Sequence, residues 1–130
     1  MDVTLGKKFA HEFKITKDTS TLFIRLSKDK NPLHLDNDFA NKKGFGKKIA
    51  HGNIQNCFLS YFVGELFPIR EIVIVSQSIA YKSPAYEGDV LGFEAKIINH
   101  VESVSVYELK FNFKVKSKVI SKGTLILKKV

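Results

Sequence analysis

The sequence predicts an α+β domain in which an antiparallel sheet wraps around one buried helix. Between residues 51 and 66, apolar side chains cover more than one narrow face, as expected for a helix that is buried on most sides. After residue 72, apolar and polar residues alternate with the period of two that is typical of strands. The chain has 130 residues, of which 44% are hydrophobic, so we predict a single domain spanning residues 1–130.

The first predicted element is a short helix from Asp18 to Ser27, whose polar opening would cap its N-terminus. Asn31-Pro32 follows this helix. Proline disfavours helical geometry in the residue before it and has no amide donor, so the helix cannot continue through this point. The segment from Asp29 to His34 is therefore predicted to be a turn.

The buried helix is predicted from His51 to about Leu66, and Pro68 ends it. Four strands follow, and turn residues at Ser83-Pro84 and Glu87-Gly88-Asp89 separate the first two. The last two are expected to be antiparallel neighbours joined near Ser117-Lys118. The predicted strands are Ile72–Tyr81, Val90–Asn99, a run from Tyr107 to Val115, and a run around Leu125 and Leu127.

Charge and cysteine content limit the classes of function and location. The 21 Lys and Arg residues against 13 Asp and Glu give a net charge of +8, which would attract nucleic acid, an acidic carrier protein or coenzyme A. Cys57 is the only cysteine, so no intrachain disulfide can form. Its thiol is expected to be packed. No apolar run reaches the length of about 18 residues that suggests a membrane helix, and no signal-peptide core is found. We therefore expect a cytoplasmic protein with no membrane partner.

The segment Asp29-Lys30-Asn31-Pro32-Leu33-His34 carries the strongest chemical signal. It places a carboxylate and an imidazole five residues apart across a proline turn, which can aim both side chains into one site. Imidazole paired with a carboxylate can take and give a proton near neutral pH. The segment resembles the hydratase motif of the MaoC-like family, in which Asp-x-Asn-Pro-x-His precedes a later His-Gly pair.

The resemblance to the MaoC-like family spans nearly the whole chain. It continues through Ile49-Ala50-His51-Gly52, and then through Ala80-Tyr81-Lys82-Ser83-Pro84 to Glu87-Gly88-Asp89. It implies a hot-dog fold, in which a long central helix is wrapped by a curved antiparallel sheet. It also implies a homodimer whose sheets join edge to edge, and a small domain with exposed strand edges gains by pairing them.

The resemblance implies hydration of trans-2-enoyl thioesters, and the reverse dehydration of (R)-3-hydroxyacyl thioesters. Asp29 and His34 would activate the water that adds to the β-carbon, and Asn31 would hold this pair or the water. The Gly52 N–H, at a helix N-terminus, would bind the carbonyl oxygen as negative charge develops on it. Coenzyme A or an acyl carrier protein would enter as part of the substrate, and no other cofactor is expected.

Six further residues are candidates for substrate binding. Ser60 and Val63 lie two and three helical turns beyond Gly52, a spacing that lines the acyl pocket in the family. His51 would shape the entrance or would only hydrogen-bond locally. The remaining three are cationic candidates for the phosphates of coenzyme A, although lysines in a basic chain more often form only a solvated surface. These three are Lys47, Lys48 and Lys82.

Other classes of function are weighed against the hydratase. A hot-dog thioesterase would use a carboxylate to direct water at the carbonyl, whereas the Asn-Pro-x-His turn favours the hydratase. A basic binding module for nucleic acid or a partner protein is the non-enzymatic alternative, but no zinc-finger spacing or Gly-flanked aromatic strand motif supports it, so no nucleic acid partner is expected. His34 has only Asp36 and Asp38 nearby in sequence as further metal ligands, so no metal is expected.

Overall fold

The computed structural model describes residues 3–130 and contains one five-stranded antiparallel sheet. Its strands are β1 (Lys8–Lys14), β2 (Ile72–Tyr81), β3 (Val90–Val101), β4 (Val106–Val115) and β5 (Lys118–Lys129). They lie in the order β1-β3-β4-β5-β2, so that β1 and β2 form the two edges. The four predicted strands are confirmed, and β4 and β5 form the predicted hairpin, turned by Lys116 and Ser117 in the left-handed region.

The helices are α1 (Lys17–Ser27), α2 (Pro32–Leu35), α3 (Asn37–Lys42) and α4 (Ile54–Tyr61). The chain continues beyond α4 as a π-helical turn over Phe62–Leu66. The predicted first helix is confirmed as α1, but Thr16 is its cap, because the Thr16 hydroxyl accepts the Thr19 N–H at 3.0 Å. Within residues 3–130, no helix is both long enough and apolar enough to cross a membrane.

The core lies between one face of the sheet and the helical segment formed by α4 and its π-helical turn. The ring of Phe62 is fully buried, and its centroid lies 4.8 Å from that of Phe93 in β3 and 5.3 Å from that of Phe9 in β1. Phe13 of β1 stacks on Phe58 of α4 at 4.5 Å. These aromatic contacts hold the helix across the sheet, and the predicted α+β architecture is confirmed.

The edge strand β1 was not predicted from the sequence, and neither were the short helices α2 and α3. The side chains of β1 alternate between exposed and at least partly buried, but the segment is short and carries Lys8, Glu12 and Lys14. It forms a strand by pairing with β3, from Lys8 opposite Lys96 to Lys14 opposite Val90. A partner more than 70 residues away in the chain leaves no local signal.

The buried helix begins later than predicted. The turn at His51 precedes α4, and the Ile54 N–H donates to the His51 carbonyl oxygen at 3.1 Å. The buried face of the helix then runs through Gln55, Leu59 and Phe62. Cys57 points away from this face and is exposed, so the prediction of a packed thiol was wrong.

We expect Gly123→Ala to destabilise the fold. Gly123 in β5 lies between β2 and β4, where an added Cβ would be 1.8 Å from the Ser78 carbonyl oxygen and 2.9 Å from the Phe111 ring. Such overpacking costs about 1–3 kcal/mol or more of the free energy of unfolding, measured by urea denaturation. Gly92→Ala in β3 is the matched control, because its nearest contact would be an ordinary 3.8 Å. Equal losses for the two variants would contradict this reading.

Candidate active site

The predicted turn between α1 and α2 is held by hydrogen bonds from its own side chains. Lys28, with a φ of 60°, ends α1, and the Ser27 hydroxyl then accepts the Asp29 N–H. Asp29 Oδ1 accepts the Asn31 N–H at 3.0 Å, and Asn31 Oδ1 accepts the Leu33 N–H at 2.9 Å. The predicted turn is confirmed for Asp29 to Asn31, whereas Pro32 to His34 belong to α2, because proline is well suited to the first turn of a helix. The local bonds fix where the Asp29 carboxylate lies.

Asn31 acts on the backbone in this structure. Its side-chain oxygen caps α2 by accepting the Leu33 N–H, and the side chain does not border the space next to Asp29 and His34. The structure therefore gives Asn31 a part in shaping the turn. Its hydrogen bonds to other residues do not include the predicted contact with the acid/base pair.

One hydrogen bond, made by Nδ1, orients the His34 ring. Its Nδ1 lies 2.9 Å from the Ile49 carbonyl oxygen, which can only accept, so Nδ1 carries the hydrogen. The other nitrogen, Nε2, is then a free acceptor and lies 3.9 Å from Asp29 Oδ2. This separation exceeds a direct hydrogen bond. Both atoms are therefore available to a third group placed between them.

His51 lies beside this pair. Its ring stacks on the ring of His34, with centroids 3.9 Å apart and planes 25° apart, and its Nε2 lies 3.0 Å from the Asp29 main-chain oxygen. The His51 side chain is only 3% exposed, so it has little surface to offer a substrate. His51 makes the local hydrogen bond that the sequence allowed, and it also borders the space next to Asp29 and His34.

Gly52 and Tyr81 form the wall opposite the acid/base pair. The Gly52 N–H has no acceptor within residues 3–130 and lies just before α4, in the turn that leads into the helix. The Tyr81 ring packs against Gly52 so closely that an added Cβ would lie 3.1 Å from two ring carbons. Glycine thus allows this contact while keeping its amide free.

Two adjoining depressions meet at these residues. One has a volume of about 510 Å³ and the other of about 290 Å³, and both are bordered by His34, Gly52 and Tyr81. Asp29 borders the first depression and Lys82 borders the second. His51 also borders the first depression, so the structure brings together five residues that the sequence had singled out: Asp29, His34, His51, Gly52 and Lys82.

The other predicted ligand-binding residues lie outside both depressions. Lys47 places its ammonium group 5.3 Å from the centre of the Tyr86 ring, and the Lys48 backbone N–H donates to Asn37. Ser60 is exposed, and Val63 is a core residue that is 5% exposed. Val63 follows the buried Leu59 by four residues, so it continues the buried face of the helix and packs in the core.

A polar network lies at the start of α4 and was not predicted from the sequence. Asn56 donates to Asn53 Oδ1 at 2.7 Å, and Asn56 Oδ1 accepts from Gln77 Nε2 at 2.6 Å. Partial burial raises the pKa of Tyr81 above its ordinary value of 10.0, and a hydrogen bond with Asn56 offsets part of this rise. The network therefore links the start of α4 to β2, the strand that carries Tyr81.

By distance alone, Asp29, His34 and His51 could hold a metal ion, since one ligand atom from each lies within 4.8 Å of the others. However, the two imidazole rings are stacked with nearly parallel planes, so their in-plane lone pairs do not converge on one point. His51 Nε2 is also bonded to the Asp29 carbonyl. This arrangement fits an acid/base pair better than a metal centre.

Comparison with known proteins places the chain among hydratases and dehydratases. A family model described as "MaoC like domain" matches residues 3–119. The (R)-specific enoyl-CoA hydratase of Rhodospirillum rubrum is 28% identical over 122 residues, covering 94% of this chain and 85% of that protein. A mitochondrial 3-hydroxyacyl-[acyl-carrier-protein] dehydratase of Arabidopsis thaliana is 33% identical over 94 residues, covering 72% and 52%. The structure of the (R)-hydratase of Aeromonas caviae superposes with a TM-score of 0.91 at 25% identity and covers 98% of each chain.

We expect the Tyr81 hydroxyl to ionise above pH 10, because burial disfavours the phenolate. The absorbance at 295 nm, taken as the difference between wild type and Tyr81→Phe during titration, measures this ionisation directly. Asn56→Ala should move the midpoint further upward, because the Asn56 hydrogen bond lowers this pKa. Since the pKa of Tyr81 is raised in the folded state, its contribution to stability is lost as the pH rises above 10. A midpoint at or below 10 would contradict this account.

Proposed function

The chain belongs to the MaoC-like domain family, and on that premise we propose that it interconverts trans-2-enoyl and (R)-3-hydroxyacyl thioesters. The observation that carries the proposal is the shared space bordered by the Asp29 carboxylate, the His34 imidazole and Gly52. His34 supplies a proton acceptor, Asp29 supplies a partner that stabilises the charged imidazole, and Gly52 supplies a free N–H donor. Addition of water to an enoyl thioester needs these three functions.

The acid/base pair would hold the reacting water. The His34 Nε2 and Asp29 Oδ2 atoms are 3.9 Å apart, so one water can contact both. His34 Nε2 takes a proton from this water while its oxygen bonds to the β-carbon. The electron pair of the double bond moves toward the carbonyl. The acid/base residues, Asp29 and His34, then return a proton to the α-carbon. The net change is the addition of one water, and dehydration follows the same path in reverse.

The Gly52 N–H would receive the carbonyl oxygen of the thioester. As the enolate forms, negative charge gathers on that oxygen, and an amide without another acceptor stabilises it at no reorganisation cost. The start of α4 adds the positive end of the helix dipole. His34 and Gly52 border both depressions, so one substrate can reach the base and this donor together.

Lys82 is the cation that we propose for the thioester carrier, because it borders the second depression. Coenzyme A and acyl carrier protein both present a phosphate and a pantetheine arm, and both carriers occur in the names of relatives. We propose no cofactor beyond the carrier itself. We keep the cytoplasm as the proposed location, because the chain has a single cysteine and such a chain can form no stabilising intrachain disulfide.

The first test is turnover of crotonyl-coenzyme A, followed through the loss of enoyl-thioester absorbance, with the handedness of the product determined. Asp29→Asn should lower kcat at least about 100-fold, because the carboxylate can no longer support proton transfer. Asp38→Asn is the matched control, since Asp38 is exposed, lies in α3 and borders neither depression. The proposal fails if the wild type releases free coenzyme A, as a thioesterase would, or turns over neither this nor longer enoyl thioesters.

We also propose that the protein forms a homodimer through β2. The two sheet edges differ: β1 carries Lys8, Glu12 and Lys14, whereas the ten residues of β2 contain no charged side chain. Charged residues protect a free edge, and an uncharged edge favours pairing. Val73 and Val75 on β2 are 45% and 58% exposed in the single chain. Pairing of two β2 edges would cover them.

Val75→Lys should therefore shift the protein from dimer to monomer in sedimentation velocity experiments, because a lysine at the paired edge must be desolvated or must separate the strands. Val104→Lys is the control, since Val104 is 51% exposed but lies in the turn between β3 and β4. A monomeric wild type, or a dimer that survives Val75→Lys, would argue against this edge.

A further inference from the structure

His51 occupies a position that the acid/base chemistry does not explain. Its imidazole is buried, with only 4% of the residue exposed, and it is joined to both members of the pair by different contacts. One contact is the bond to the Asp29 main-chain oxygen, and the other is the stack on the His34 ring. The His51 ring also packs 4.9 Å from the ring of Phe23 in α1.

From these contacts we infer that His51 is a positioning residue, which holds the Asp29 backbone and the His34 ring in their mutual geometry. The inference rests on the proposed hydratase function. His51 itself transfers no proton, because the Asp29 carbonyl can only accept, so the hydrogen on His51 Nε2 is committed to that bond.

The bond to the Asp29 backbone matters because it is the hydrogen bond that ties residues 28 to 31 to the fold beyond α1 and α2. The other hydrogen bonds of these four residues close within α1, the turn and α2, and the next long-range bond is the one from the Ile49 N–H to the Leu33 carbonyl at 3.0 Å. Asp29 itself is exposed on the surface, and its carboxylate is 45% exposed. His51 stands at the entrance to α4, which is anchored in the core. The bond therefore restricts the movement of Asp29, and of its catalytic carboxylate, relative to the core.

The stack on His34 restricts the second member of the pair. The bond from Nδ1 to Ile49 fixes one point of the His34 ring but allows rotation about that bond. A parallel ring 3.9 Å away removes this freedom.

Two substitutions separate the two contacts. His51→Phe keeps a planar ring against His34 but removes the donor to the Asp29 carbonyl. His51→Gln keeps an N–H at the position of Nε2 but removes the ring. The matched controls are His100→Phe and His100→Gln, because His100 is likewise stacked on an aromatic ring, that of Tyr107 at 4.1 Å, but borders neither depression.

We expect His51→Phe to lower kcat by about 10-fold to 100-fold, the size of effect caused by misplacing a reacting group by about 1 Å. KM should stay within about twofold, because the lost bond is to the Asp29 main chain and a planar ring of similar size still borders the depression. His51→Gln should recover part of this loss through its N–H. Both His100 variants should behave as wild type.

Nuclear magnetic resonance provides a readout that does not depend on activity. The amide nitrogen of Lys30 shares a peptide group with the Asp29 carbonyl, so its chemical shift reports the bond from residue 51. The ring protons of His34 report the stack through ring-current shifts. The Lys30 signal should change in His51→Phe but not in His51→Gln, and the His34 signals should change more in His51→Gln.

Three results would overturn the inference: a kcat of His51→Phe within about twofold of wild type, a loss expressed in KM alone, or Lys30 signals unchanged in both variants. If His51→Phe does not fold, His51→Gln decides, since it must keep the Lys30 signal and part of kcat. A wild type without hydratase activity would instead overturn the proposed function, while the resonance signals would still test the two contacts.

Discussion

The burial of α4 against the sheet is the constraint on which the site depends. Aromatic contacts from β1 and β3 hold this helical segment in place, and the turn before α4 therefore lies at a fixed position. That turn presents a free amide at Gly52 and a buried imidazole at His51. The hydrophobic effect, which has no direction of its own, thus sets the frame for directional polar groups.

The acid/base pair lies on an exposed segment, in contrast to the buried helix α4. The turn from Ser27 to Leu33 is exposed over most of its length and is closed by short-range bonds between its own side chains and backbone. Such a turn has a defined shape but few long-range ties. Its position relative to the helix comes from His34, through Ile49, and from His51. The site therefore combines a locally shaped loop with a rigid support.

Polar residues on α4 distinguish this chain from a purely apolar hot-dog helix. Gln55 is 2% exposed and is bonded to the hydroxyl of the buried Ser121, and Asn56 joins Asn53 to Gln77. A buried polar group is tolerated when it finds a partner, and these groups do. The bonds tie α4 to both β2 and β5, so the wall formed by Tyr81 is held by hydrogen bonds as well as by packing.

The sequence by itself determined the fold class, the four strands after α4, and the turn that carries Asp29 and His34. Period-two alternation, Asn31-Pro32 and the turn residues are local signals, so no knowledge of distant contacts was needed. Only the tertiary structure decided that β1 is a strand and that His51 bonds the Asp29 backbone. Each of these depends on a partner far along the chain, which leaves no pattern in neighbouring residues.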